Sequence, residues 1–293
     1  MGSSIAIEND VVFGAGGGRD LKCDIYTPDG GGNGCGVLVL YGGGWRMGDR
    51  SRVRENCLSL AKRGFVCVAG EYRLTPEARW PAQIHDVKAA IRWMRANANH
   101  LGIDPGKIVA EGHSAGAHLA LLAAGTAGVA DFEGEGGNPG VSTELAAAIG
   151  IYPPTVFQPG EEKVSGAVKA DALLLDAVTE ELARAVAPLS YARADFPPVF
   201  MLHGTADRVV PVTASLRMFE ALSAARAPVE LHIYPGLPHG FARLPSMQDQ
   251  LQSEVADFLR RTVVAPEALA AEIEDLQAQM AAMRGEPTRA AVQ

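Results

Sequence analysis

Six short apolar runs punctuate the chain: GVLVLY (36–41), FVCVAG (65–70), KIVAEGH (107–113), LAAAIGIYP (145–153), PPVFMLHG (197–204) and VELHIYP (229–235). Turn residues bound each run, and stretches with helical spacing follow most of them. Runs without polar alternation suit strands covered on both faces. Strands alternating with helices build a mostly parallel sheet with helices on both faces, so an α/β class follows from the pattern alone. Helices are expected at 51–63, 81–100, 115–125, 212–226 and 247–262. Before the first run, DVVFGAGGGRDLKCDIYTP reads as two strands joined by a glycine-rich turn.

Two regions interrupt the alternation. DFEGEGGNPG (131–140) is acidic and glycine-rich and reads as a loop. Residues 153–196 begin PPTVFQPGEE and contain ADALLLDAVTEELARAVA, a helical stretch. This insert is placed to cover the C-terminal edge of the sheet, where open α/β folds bind ligands. The expected organisation is a main domain over 1–264, with 153–196 as an insert or cap, and a helical extension over 265–293.

The run at 107–113 leads straight into Gly112-His113-Ser114-Ala115-Gly116. A serine between two glycines carries little information by itself. A tight strand-to-helix turn is, however, where a serine must sit to be exposed at the sheet edge. Gly112 and Gly116 leave room for close helix-to-strand approach, and the helix N-terminus brings the Ala115 N–H and a positive dipole end to the reacting carbon. Read as chemistry, Ser114 is a nucleophile; read as geometry, it is only a turn residue.

A serine hydroxyl needs a base. Asp207 follows the run at 197–204, and His239 follows the run at 229–235. Ser114, Asp207 and His239 therefore fall at one edge of a parallel sheet, in the chain order expected for a strand-turn-helix nucleophile. His239 would take the Ser114 proton, and Asp207 would hold the imidazole tautomer. Each acid or base alone could be an ordinary loop residue; the ordered trio is the stronger reading. His113 and His118 are worse bases by position, and Asp176 and Asp195 rank below Asp207 because they lie in or beside the insert.

Tyr41-Gly42-Gly43-Gly44-Trp45 follows the first buried run. Successive glycines there can turn backbone N–H groups toward a developing oxyanion. Gly43, Gly44 and Ala115 are assigned as donors, with Gly42 undecided; the competing reading is a flexible loop. Trp45, Phe157 and residues 173–175, Leu174 among them, are candidates for the substrate pocket.

The charge balance is −8, with no basic block, which argues against nucleic acid as a partner. No apolar run approaches the ~18 residues of a membrane span. The first residues lack the basic and apolar regions of a secretory signal, so a cytoplasmic location is expected. Cys23, Cys35, Cys57 and Cys67 show no metal spacing and are expected as free thiols, with no metal. In the extension, Leu269, Ile273, Leu276, Met280 and Met283 are spaced 4, 3, 4, 3, a heptad stripe over about two repeats. Two readings stand: an amphipathic helix lying on its own domain, or a homo-oligomer contact through 266–284.

Taken together, YGGGW, GEYRLTPEARWPAQIHDVKAAIRWM, GHSAGAHLA, PPVFMLHGTADRVVPV and YPGLPHGF resemble an α/β-hydrolase of the esterase/lipase group, in its hormone-sensitive-lipase-like and acetyl-esterase branch. The resemblance covers about residues 20–262. It implies hydrolysis of a small-molecule carboxylic ester through an acyl-enzyme, with no cofactor. It also implies structural roles for Arg73, Glu77 and Asp86 beneath the oxyanion loop. Tyr41 stands where the group usually has His, His113 where the lipase-like branch has Asp, and Ala117 where it has Gly. The acid segment reads TADRVVP instead of a D-P-L type. The departures in the serine motif and the acid segment lean toward acetyl-esterase, feruloyl-esterase-like or formamidase-like relatives. Cleavage of an amide by the same three residues and ligand binding without turnover are the rival expectations.

Overall fold

The computed structural model describes residues 4–75, 77–158, 165–169, 173 and 178–284. Strands β1 (Ile5–Gly16) and β2 (Arg19–Pro28) form an antiparallel hairpin, as the glycine-rich turn between them predicts. Strands β3 (Gly36–Leu40), β4 (Val66–Gly70), β5 (Ile108–His113) and β6 (Ala147–Ile151) follow. Two short strands, β7 (Val156–Gln158) and β8 (Ala167–Lys169), pair with each other in the insert. The main sheet then resumes with β9 (Val199–Gly204) and β10 (Val229–Tyr234). The eight-stranded sheet has the order β1-β2-β4-β3-β5-β6-β9-β10, and every pairing from β4 to β10 is parallel.

Burial explains the run composition. Every residue of β3, β4, β5, β6 and β9 is buried, whereas the edge strands β1 and β10 are partly exposed. Uniformly apolar strands are stable only where helices cover both faces. The helices are α1 (Arg54–Ala61), α2 (Ala82–Ala96), α3 (Ala98–Leu101), α4 (Ala115–Gly125), α5 (Ala130–Glu133), α6 (Glu180–Ala185), α7 (Thr213–Ala224), α8 (Pro245–Leu259) and α9 (Pro266–Met283). Adjacent residues of β5 show the two layers. The Glu111 side chain reaches Gln252 of α8, while Gly112 lies against Gly116 and Ala117 of α4. Side chains alternate across a strand, so α8 and α4 cover opposite faces.

The 131–140 stretch is not wholly a loop. Its first residues belong to α5, and Glu133 accepts hydrogen bonds from Lys88 Nζ (2.8 Å), Thr143 Oγ1 (2.7 Å) and the Gly128 N–H (2.9 Å). Lys88 is fully buried, and this carboxylate neutralises it. Of the helix expected in the insert, the described part is α6 with Leu173, which is buried; Leu174 lies outside the described residues.

Helix α9 forms where the heptad stripe predicts a helix, but none of its residues is buried. Ile273, Leu276, Met280 and Met283 are all exposed. The reading in which it lies on its own domain is therefore corrected: the helix leaves the domain after Arg260–Val264 with Leu269 half-buried and its apolar stripe uncovered from Ile273 onward. All four cysteines are free and buried. Among the described residues, no helix is long and apolar enough to cross a membrane.

Candidate active site

The C-terminal ends of β3, β5, β9 and β10 lie side by side at one edge. Leu40 pairs with Gly112, His113 with Ile151, Ile151 with Leu202, and Gly204 with Tyr234. Each strand then delivers one part of the site: residues 42–44 after β3, Ser114 after β5, Asp207 after β9 and His239 after β10.

Ser114 has φ +52° and ψ −114°, a conformation that costs a non-glycine residue about 1–3 kcal/mol. Its surroundings hold it there. The Ser114 N–H donates to Ile151 O at 2.9 Å, and its carbonyl accepts from His118 N at 2.9 Å. The flanking glycines are required by space. A Cβ on Gly112 would lie 2.2 Å from Gly116 backbone atoms, and one on Gly116 would lie 2.4 Å from Leu40 O. Helix α4 can therefore press onto β5 and β3 and carry its N-terminus to the Ser114 hydroxyl.

The structure brings Ser114, His239 and Asp207 into one hydrogen-bonded chain. Ser114 Oγ is 2.9 Å from His239 Nε2, and His239 Nδ1 is 2.7 Å from Asp207 Oδ2. An ionised carboxylate only accepts, so Nδ1 carries the ring proton and Nε2 accepts from the serine hydroxyl. Asp207 Oδ1 accepts from the N–H groups of Val209 and Val210, both at 2.9 Å. Burial alone would push the Asp207 carboxyl up. Hydrogen bonds from His203, His239 and Val210 outweigh it and hold the group well below the usual carboxylate range.

Sequence reasoning missed His203, which is fully buried on β9. Its Nε2 lies 2.9 Å from Val210 O and 3.3 Å from Asp207 Oδ2, and its Nδ1 lies 2.8 Å from Ser215 Oγ. Nε2 faces only acceptors and so carries the proton. Tyr152 was missed as well. Its ring lies 4.7 Å from that of His239, and its hydroxyl lies 3.3 Å from His113 Nδ1.

The glycine loop is tightly set. Gly43 has φ +148°, Gly44 φ +60° and Trp45 φ +59°. The Gly43 carbonyl accepts from Arg46 N and Met47 N, both at 3.2 Å. Among the described residues, the N–H groups of Gly43, Gly44 and Ala115 donate to no protein acceptor. Tyr41, in place of the usual His, stacks on Tyr72 with ring centroids 4.6 Å apart. Each tyrosine hydroxyl donates to the other's carbonyl, at 3.2 and 2.9 Å. Arg73 forms a two-pronged ion pair with buried Asp86, and Glu77 pairs with Arg19. This ionic layer joins β2, the segment after β4, and α2.

A cavity of about 290 Å³ opens over Ser114 and is lined by residues 42–44, Tyr152 and His239 among others. Trp45 and Phe157 come together, with ring centroids 5.8 Å apart, but neither lines this cavity. They pack around His118, which accepts from Trp45 Nε1 (3.2 Å) and donates to Val186 O (2.7 Å). Among the described residues, no cluster of three His, Cys, Asp or Glu side chains is placed to hold a metal ion.

Strand order, the turn at Ser114 and the positions of the loops define an α/β-hydrolase. Residues 23–222 match the BD-FAE family, and the chain belongs to it. The chain is 34% identical over 261 residues to esterase LipQ of Mycobacterium tuberculosis, a match covering 86% of this chain and 61% of LipQ. The match spans 61% of the length of LipQ, 52% of esterase LipC and 50% of the probable carboxylic ester hydrolase LipM of the same organism. Among solved structures, the apo form of Thermogutta terrifontis esterase 2 aligns with a TM-score of 0.73 at 31% identity, covering 88% of this chain and 94% of that one. The propionate-bound form of that esterase aligns with a TM-score of 0.72 at 33% identity, covering 88% and 93%. The sequence resemblance to α/β-hydrolase esterases therefore holds.

Proposed function

We propose that the chain is a serine carboxylesterase that cleaves small to medium acyl esters through an acyl-enzyme. The observation that carries this reading is the unbroken Ser114–His239–Asp207 hydrogen-bond chain at the mouth of a cavity. In the first half-reaction, Ser114 Oγ forms a bond to the ester carbon while its proton passes to His239 Nε2. The carbonyl oxygen takes the negative charge and is met by the free N–H groups of Gly43, Gly44 and Ala115. The carbon–alkoxy bond then breaks, and the leaving oxygen takes the proton from Nε2. Water repeats the sequence on the acyl-enzyme, releasing the carboxylic acid and restoring Ser114.

The cavity volume lies at the lower limit of small-molecule sites, which supports a small acyl group. The related esterase with propionate bound points the same way. Esterase relatives put the ester ahead of the amide. Four buried free thiols suit a reducing, cytoplasmic setting. The uncovered stripe of α9 supports pairing with a second copy of the chain.

The test is a burst experiment with 4-nitrophenyl acetate on the wild type and Ser114→Ala. Release of about one equivalent of nitrophenol per chain, absent from the variant, is the expected result for an accumulating acyl-enzyme. Wild-type turnover by Ser114→Ala would overturn the reading.

A further inference from the structure

We propose that Arg52 and Arg243 form a subsite for an anionic group on the ester, a carboxylate carried by the leaving alcohol. This rests on the esterase reading above and names its substrate class. Both arginines line the cavity that holds Ser114 and His239. Among the described residues, no acidic side chain lines that cavity. Asp207 lies behind His239, with its side chain wholly buried and its oxygens already hydrogen-bonded.

The two arginines stand apart from most others in the chain. Arg19, Arg50, Arg63, Arg73, Arg92 and Arg261 each hold a carboxylate. Among the described residues, neither the Arg52 nor the Arg243 guanidinium makes a hydrogen bond or an ion pair, and both residues are exposed. The nearest offset to Arg52 is Asp49, whose carboxylate is taken first by the Ser51 hydroxyl and N–H; Arg52 only adds to holding it low. Among the described residues, nothing comparable offsets Arg243. A protein with a charge balance of −8 thus presents two uncommitted cations at the cavity over its serine. Such a field draws in anions and orients them before contact.

The placement selects the alcohol side of the ester. His239 Nε2 gives its proton to the leaving oxygen, so the leaving group exits past His239. Arg243 follows His239 in the same short segment, and its guanidinium lies beside Gly240, within 2.9 Å of where a Cβ would stand. Arg52 sits beyond the oxyanion loop, next to the buried Val53. Val53, Tyr152 and the exposed Val209 line the same cavity and give the body of the alcohol apolar walls. A guanidinium fork matches a carboxylate through paired N–H donors, which a neutral amide cannot reproduce.

The test uses a matched pair of esters, 4-acetoxybenzoate and 4-acetoxybenzamide, with the full chain at low ionic strength. The expected result is a preference of about tenfold in kcat/KM for the acid, the size of one hydrogen-bonded charge contact. It should appear mainly in KM and weaken as salt is raised to about 0.5 M. In Arg243→Gln and Arg52→Gln the ratio should fall toward unity. A wild-type ratio of one or less, or a ratio unmoved by both substitutions, overturns the proposal. If the amide-bearing ester is cleaved in a Ser114-dependent way while the acid is not preferred, only the subsite fails. If neither ester is cleaved, the esterase reading fails, and the subsite is read by binding alone. Ligand-observed NMR with 4-hydroxybenzoate and 4-hydroxybenzamide on Ser114→Ala should then show the acid bound several-fold more tightly; equal binding overturns the subsite.

Discussion

His203 Nε2 lies 3.3 Å from Asp207 Oδ2, so the carboxylate that holds His239 is itself held from below by a second imidazole. The two histidines differ in access. His203 is sealed between β9 and α7, with Ser215 at its other nitrogen, whereas His239 reaches the cavity. On the proposed mechanism His203 is a positioning residue, reaching the reaction only through Asp207. A hydrogen bond to a charged group contributes about 1.5–3 kcal/mol. His203→Leu should therefore lower kcat by roughly tenfold to a hundredfold with little change in KM, and His203→Gln, which keeps a donor, should recover part of it. A structural role alone would leave pH behaviour unmoved. Asp207 sits below its ordinary range in the folded protein, so its stabilisation is present above about pH 4 and is lost as pH falls through the depressed value. In His203→Leu the folded carboxyl is depressed less, so the stability lost between about pH 4 and the folded value should be smaller and complete at higher pH, read from unfolding midpoints between pH 5 and 2.

Gly43 separates two explanations of the glycine loop. A Cβ there would lie 1.7 Å from Met47 O, at φ +148°, so Gly43→Ala forces the backbone to move. At Gly44 nothing lies within 4 Å, and alanine meets only the φ +60° penalty. Loss of one oxyanion donor costs about 10²–10³ in kcat. Gly43→Ala should lose at least about a hundredfold in kcat toward a nitrophenyl ester, and Gly44→Ala much less. Equal, small effects would make the loop a spacer only.

His118 provides a pH test of stability away from the reacting groups. Burial pushes its imidazole down to about 4, only partly countered by the hydrogen bond to Val186 O. The unfolded chain takes up this proton near pH 6.5, and the folded chain does not until about pH 4. Its neutral form therefore gives full stability above about pH 6.5, and the contribution falls as pH drops to 4, by roughly 3 kcal/mol across the window. Protonating Nδ1 would also remove the acceptor for Trp45 Nε1. His118→Gln should be less stable at pH 7 but lose less stability between pH 6.5 and 4 than the wild type. Parallel pH curves for the two proteins would remove His118 as the cause.

What the sequence reveals and what it conceals divide along chain distance. Ser114 and Asp207 follow buried strands and His239 follows the edge strand β10, so strand order alone sets them at one edge. Gly112 and Gly116 are legible because close helix packing permits no Cβ. His203 is hidden because it stands inside an apolar run, and its partners come from a loop and from α7. Trp45 looked like a pocket wall because it follows the glycines, but its indole N–H turns inward to His118. Arg52 and Arg243 lie far apart in sequence and meet only at the cavity. Tertiary pairing of this kind has no local period to read.

The same limit applies to α9, where the apolar stripe was legible and its partner was not. In the heptad set by Leu269, Ile273, Leu276, Met280 and Met283, the acids Glu274 and Asp275 fall away from the stripe. Beside it stand Ala270, Glu272, Gln277, Gln279 and Arg284, so two parallel copies would bring no like charges together. A helix with Leu276 and Met283 in water and no buried residue is marginal alone. Pairing would cover that stripe and order the helix together. Light scattering on the full chain should give a mass of two or more copies at micromolar concentration. Deleting 265–293 should give the mass of one copy, with nitrophenyl-ester turnover per chain retained. Leu276→Glu should act like the deletion, because it sets two carboxylates against each other at the seam. An unchanged mass in both variants would place any association elsewhere on the surface.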